Sequence, residues 1–491
     1  MVNSQTTLSR WLLPVLLTVQ FLVSLDISVV NVALPDIDSG LHFDPGSLAW
    51  VVNAYALTFG GLLLLGGRLA DVAGRRRVLV AGFVVFGVAS LLGGLAQTPG
   101  QLIAARAAQG VGAAALAPVA LALITVNYPQ GAPRSRALGL WGAAGAAGGA
   151  VGVLVGGLLT DWTGWRSVML VNVPVVAAAL AVVRPAVPAD DRSAGGPRPR
   201  LDVVGALLAT AGTALLVLEL VRTESHGWTS WQTAGVLAAA VVLLAAFAVT
   251  QTRVRQPLLR FGLLRSGPVL AANVFALLMS AGQFAAFYFT SLYMQQVLGY
   301  GPTAAGSAFL PFCVGVVAGS VIATRTVGRV GPGALLVAGG LLGAAGFAWF
   351  AAAVAVDGGF LLTVLGPSAV SSVGTGLCFV PLGTAATTGV PAADTGMASG
   401  LLNSSRQVGG AVGLAVLVTV AAQAGGTGAR GLVDGFAAAY WVSAGLLAVA
   451  AVAAGLLSGR RPLPAETSAG KKSSKKSVAG VDPDVSRSTQ G

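Results

Sequence analysis

WLLPVLLTVQFLVSLDISVVNVALP, residues 11–35, holds a single charged side chain, Asp26, in a run otherwise almost wholly apolar. A helix rises about 1.5 Å per residue, so about 20 apolar residues cross the roughly 30 Å hydrocarbon core of a bilayer. The run is therefore long enough to span. Apolar runs of similar length recur along the chain, too long for the ten-residue alternating segments of a membrane barrel. A carboxylate in the middle of a span costs about 2.5–3.5 kcal/mol even on lenient scales, so Asp26 should face protein or water rather than lipid.

Composition agrees with this reading. Of 491 residues, 55% are hydrophobic and 9% charged, with a mean hydropathy of +0.81; a soluble globule carries about a quarter charged residues. The chain is expected to be an all-α polytopic membrane protein of fourteen spans, the first over about 11–34, the second over about 48–67 and the last over about 436–457. Most of the 29 Lys and Arg fall in segments on one side. The other side has Arg166, Arg222 and Arg430, and an acidic first loop with Asp36, Asp38 and Asp44. By the positive-inside rule both termini are cytoplasmic. The net charge of +12 is thus accounted for by topology, with no soluble domain to hold nucleic acid.

GRLADVAGRR (67–76) after the second span is echoed by TRTVGRVGPG (324–333) after the tenth, with Gly328 in the place of Asp71. This weak repeat predicts two six-helix bundles, 1–187 and 266–459. Residues 188–265 would carry a Pro-, Gly- and Arg-rich linker and an extra helix pair, and 460–491 a disordered basic tail with the run KKSSKK, suited to touching anionic lipid.

Other chemistry is excluded more readily. Cys313 and Cys378 fall within spans, and His42 and His226 in short outer loops, so neither a disulfide scaffold nor a metal site is expected. There is no Walker-type phosphate loop and no carboxylate, histidine or metal cluster near an interface, which speaks against ATP-driven pumping and against a membrane-embedded enzyme. No cofactor is expected.

Several stretches resemble motifs of the major facilitator superfamily. The segment between the second and third spans resembles the family's signature loop at Gly67, Leu69, Asp71, Gly74 and Arg75, which implies a conformational latch. LIAARAAQGVGAA (102–114) resembles its fourth-helix motif, whose arginine, here Arg106, is implied in proton coupling. WGAAGAAGGAVGVLVGGLL (141–159) places Gly148, Gly152 and Gly156 on one helix face, a ridge for close helix packing; it resembles the antiporter motif, with Val153 where that motif has proline. The opening stretch is similar to the first-helix motif of the fourteen-helix drug:proton antiporter branch, with Ser28 in place of threonine. GWRSVMLVNVP (164–174), YMQQVLGYGPTAAGSAFLP (293–311) and MASGLLNSSRQVGGAVG (397–413) extend the likeness over nearly the whole chain.

The resemblance implies a monomeric, multi-pass carrier in a bacterial cytoplasmic membrane that exports hydrophobic drugs or antibiotics by alternating access, with protons as the coupling ion. A carrier of an endogenous metabolite, such as an amino acid or a self-made antibiotic, is the alternative. Asp26, the one acid deep in a span, is the expected proton site. Hydrocarbon favours a neutral carboxyl and a nearby Arg106 a charged one, so its charge can change as access changes. Asn31, Asn53, Tyr55, Gln283, Phe287, Tyr288 and Gln407 are the expected substrate contacts.

Overall fold

Residues 10–44, 47–129, 132–187, 202–226, 230–254, 257–391 and 394–458 are described in a computed structural model. They form helices, with no strand among the described residues. The helices are α1 (Leu12–Leu41), α2 (Trp50–Ala73), α3 (Arg75–Gly94), α4 (Pro99–Asn127), α5 (Ala132–Thr163), α6 (Arg166–Ala186, with a turn at Val171) and α7 (Val203–His226). They continue as α8 (Trp231–Arg253), α9 (Gly267–Val297), α10 (Pro302–Val330), α11 (Pro332–Ala353), α12 (Leu361–Thr387), α13 (Thr395–Ala424) and α14 (Gly428–Ser458). Thirteen of them are long and apolar enough to cross a membrane. The fourteenth, α2, is 24 residues long, its apolar part running from Ser47 to Leu63.

Local chemistry sets the ends. Thr98 accepts the Gln101 amide and Pro99 occupies the first position of α4, while Ser230 caps α8 through the Gln232 amide; both satisfy donors that a helix start leaves free. The second-to-third connection corrects the sequence reading. What looked like a loop after residue 67 is helix up to Ala73, and the chain turns at Gly74 alone, with φ 99°. Gly331, which aligns with Gly74 in the repeat, breaks α10 from α11 in the same way at φ 86°. Glycine alone takes such positive φ without strain.

The helices pack in two groups. Within the first, α1 lies on α5, and α4 on α2 and α3; within the second, α12 lies on α10 and α11, and α9 on α13 and α14. The extra pair, α7 and α8, packs on itself, and α7 bridges α2 of the first group and α13 of the second. The cores show how the groups meet. Toward the ends expected outside, one continuous apolar cluster joins them, from Leu25–Leu41 and Val153 to Ala285–Met294, Ala305–Phe309 and Leu414–Val418. Toward the ends expected inside, each group keeps its own cluster, one including Leu12–Val23 and Leu79–Phe86, the other Ala272–Met279, Leu382–Ala386 and Ala454. The groups are fused on one side and separate on the other. Polar bonds reinforce the fused side: Ser291 donates to Asn31 O (2.7 Å), Gln295 to Val32 O (2.9 Å) and the Thr303 amide to Asp161 (2.9 Å).

The 188–200 linker and the basic tail lie outside the described residues.

Candidate proton site and substrate cleft

Asp26, on α1, is fully buried and sits at the centre of a polar cluster built by five helices of the first group. Arg106 Nη1 donates to Asp26 Oδ2 at 2.6 Å, Asn172 Nδ2 to Oδ1 at 2.7 Å and Gln109 Nε2 to Oδ1 at 3.1 Å. Arg106 and Gln109, three residues apart on α4, share a face and bond each other at 2.8 Å. Arg106 Nε also donates to Val51 O on α2 (2.9 Å), and Gln109 to the Ser90 hydroxyl on α3 (2.7 Å). The guanidinium lies 4.5 Å from the centre of the Tyr55 ring. Asp26, Ser90, Arg106, Gln109, Asn172 and Tyr55 are each at most 1% exposed.

Glycines let the helices come close enough for this. A Cβ on Gly110 would fall 2.5 Å from Tyr55 O, so α4 meets the α2 backbone directly there. The α5 ridge does the same against α1. Gly148 faces Phe21 O, Gly152 lies 2.8 Å from Leu25 O, and Gly156 lies 2.9 Å from Val29 O, all measured to a built Cβ. The same four-residue step thus runs up both helices. Val153, in the place of the motif proline, sits in an unbroken helix and meets Gly306 of α10 through its carbonyl.

An isolated charge at such burial would be prohibitive, so the pair exists only because each partner and its hydrogen bonds compensate the other. Removing one leaves the other stranded. The cluster is also incomplete: the Tyr55 hydroxyl, Asn172 Oδ1 and both amide atoms of Asn53 are buried without a partner.

The remaining expected residues divide. Phe287 stacks on Phe309 (centroids 5.1 Å apart, planes at 7°) and meets Phe312 edge-on. With Gln283, Thr290, Phe347, Phe350, Ser368 and Ser371 they line an aromatic pocket inside the second group. Gln283 accepts the Thr375 hydroxyl. Tyr288 does not line it and packs beside Phe289 in the same fused core, and the Asn31 side chain is spent on Ile27 O of its own helix. Gln407 packs on Gly60 of α2 at the seam between the groups. Gly67 lies loosely near Pro118, Gly74 makes the turn and Arg75 opens α3; the side chain of Asp71 lies outside the described part.

Sequence reasoning passed over Ser90, Asn172, Phe309, Phe312, Phe347 and Phe350. Asn172 had a signal, being an amide inside a span. The four phenylalanines come from two separate helices and gave none. Glu219, on α7, is 1% exposed, with Oε1 shut off from solvent and unpartnered.

Two helical groups fused on one face, an inserted pair bridging them and a buried ion pair between helices define a multi-pass membrane protein built as a carrier. The chain belongs to the Major Facilitator Superfamily, whose pattern it matches over residues 16–414. It is 44% identical to the cephamycin export protein CmcT of Amycolatopsis lactamdurans, over 85% of this chain and 86% of that protein. With the puromycin resistance protein pur8 of Streptomyces alboniger it shares 41% identity, over 91% of each. Among solved structures, a POT family transporter in complex with a thioalcohol-conjugated peptide superposes with a TM-score of 0.68 at 14% identity, covering 90% of this chain and 94% of that one. A bacterial homologue of the human lysosomal transporter Spinster, inward-facing and unoccupied, gives 0.62 at 16%, covering 91% and 96%. The protein is thus a multi-pass protein of a bacterial cell membrane.

Proposed function

We propose that the chain is a proton-coupled exporter of hydrophobic antibiotics or drugs, working as a monomer in the lipid bilayer and catalysing no covalent reaction. The sealed Asp26–Arg106 pair carries this reading. Protonation of Asp26 removes its charge, which dissolves the ion pair and weakens the acceptor that Gln109 and Asn172 share. Helices α1, α4 and α6 then lose their common tie, so the proton is felt as a change in packing. In the cycle, Asp26 takes up a proton facing outward as substrate leaves, and gives it up facing inward as substrate affinity returns. Proton entry supplies about 2.3 kcal/mol per charge per 100 mV, besides any pH gradient.

The moving bodies are the bundles 1–187 and 266–459. Separate cores on the expected cytoplasmic side leave a cleft there, while the phenylalanines around Phe287 lie against the fused core and would receive flat, lipophilic compounds once the groups part on that side. The relatives named for cephamycin export and puromycin resistance support export of antibiotics. The first of these names also favours a second reading, export of a self-made antibiotic, and drug-susceptibility profiling of an efflux-deficient bacterium expressing the chain separates the two. Resistance to a broad panel, lost with a protonophore, supports multidrug export; protection against one compound class supports the narrower reading.

The direct test is Asp26→Asn in inverted membrane vesicles. Proton-dependent uptake of a drug that the wild type moves should fall to background. Retention of the full rate would remove Asp26 from the coupling role.

A further inference from the structure

The mechanism above leaves one buried cation unused. Arg406, on α13, lies about eleven residues in from the inner end of its helix, beneath the fused core, with its guanidinium 4.9 Å from the centre of the Phe379 ring on α12. It makes no hydrogen bond and no ion pair with any described residue, and its Nε is shut off from solvent without a partner. The side chain as a whole is half-buried, so its two outer nitrogens retain access to solvent.

The faces of α13 show where that access leads. Ser405 bonds Asn273 on α9 and Gly409 lies on Leu277 of α9; Ser404 bonds Gly60 O on α2 and Gln407 packs on the same glycine. Ala411 and Ala415 pack against Val217 of α7, which fills the next sector. At 100° per residue, Arg406 lies opposite α7, on the face that higher up carries Gly410 and Gly413 against Phe284 and Ala281 of α9, with exposed Asn403 at its edge. Below those glycines the guanidinium lies over Phe379 of α12, at the inner end of the second group, where that group keeps a core of its own.

Among the described residues no charge answers it. Asp357, Asp394 and Asp434 of the second group sit at or near helix ends, Asp394 already bonded to Arg260 at 2.8 Å, and Asp26 is taken by Arg106. A guanidinium held on an aromatic face, with its fork free and no counter-ion, fits a planar carboxylate. We propose that Arg406 is a substrate-binding residue that holds an acid group of the exported compound, so that the cleft selects amphipathic carboxylates, with an apolar body on the phenylalanines of the second group. The proposal rests on the exporter reading for the identity of its ligand as substrate.

The test uses the full-length protein in detergent and a panel of naphthoic and biphenyl carboxylic acids with their primary amides as probes, binding being read from the rise in melting temperature. The wild type should bind each acid about 10-fold or more tightly than its amide. Arg406→Gln should remove the preference, and Arg406→Lys, which keeps the charge without the fork, should retain part of it. Equal binding of acids and amides, no binding of any acid, or an Arg406→Gln protein that still prefers acids overturns the proposal. Proton-linked efflux is measured separately in vesicles. If it is absent while the acid preference of Arg406 holds, the exporter reading fails and the site stands; if Arg406→Gln exports acids as well as the wild type, the site fails and the exporter stands.

Discussion

At the scale of residues, the charge at the centre of the first group is kept in compensated form, Asp26 against Arg106. Arg106→Met should leave Asp26 stranded and lower the melting temperature, the expected cost of breaking such a pair being about 3–5 kcal/mol. The double variant Asp26→Leu/Arg106→Met should recover much of that loss, because neither charge is then left alone; thermal unfolding of the purified variants in one detergent compares them. Asp26 and Arg106 were legible in the sequence because ionised groups in a span are too costly to be incidental. Their partners were not. Ser90 and Asn172 are neutral and inexpensive in a helix, and nothing in one sequence says that α3 and α6 turn those faces to α1.

Glycine governs the scale of elements. Gly148, Gly152 and Gly156 each replace a side chain by contact with the α1 backbone, so Gly148→Val or Gly152→Val should overpack the α1–α5 contact by about 1–3 kcal/mol and lower the yield of folded protein. Gly139→Ala on the same helix has nothing within 4 Å of its new Cβ and should behave as wild type in size-exclusion yield and melting temperature. Gly74→Ala and Gly331→Ala should both be destabilising by about 1–3 kcal/mol through backbone strain, with matched falls in melting temperature if the repeat is mechanically equivalent. The glycine ridge could be read from its spacing. The extent of α2 could not, because hydropathy drops where the apolar layer ends, whereas the helix, with Arg68 and Asp71 on it, runs on to the turn at Gly74.

For the whole molecule, the groups should have to part on their fused side for substrate to leave. Asp161 of α5 and the Thr303 amide of α10 meet across that side. In a Cys313→Ser/Cys378→Ser background, Asp161→Cys and Thr303→Cys joined by a short thiol-specific linker should stop efflux in vesicles, with recovery when the linker is cleaved; undiminished efflux with full cross-linking would mean that this face does not open. The series of fourteen long helices could be inferred from hydropathy, thirteen of them apolar enough to span. Which ends are fused could not, since both bundles are apolar throughout and the difference lies only in which side chains meet.

The position of α7 has one more consequence. It is laid across the line where α2 meets α13, while among the described residues no comparable element covers the line where α5 meets α10. The molecule therefore has one flank covered by a third helix and one where α5 and α10 meet uncovered. If lipid-dissolved compounds enter between the helices they should do so on the flank without α7, and bulky side chains introduced along the inner halves of α5 and α10 should obstruct them while sparing compounds arriving from water.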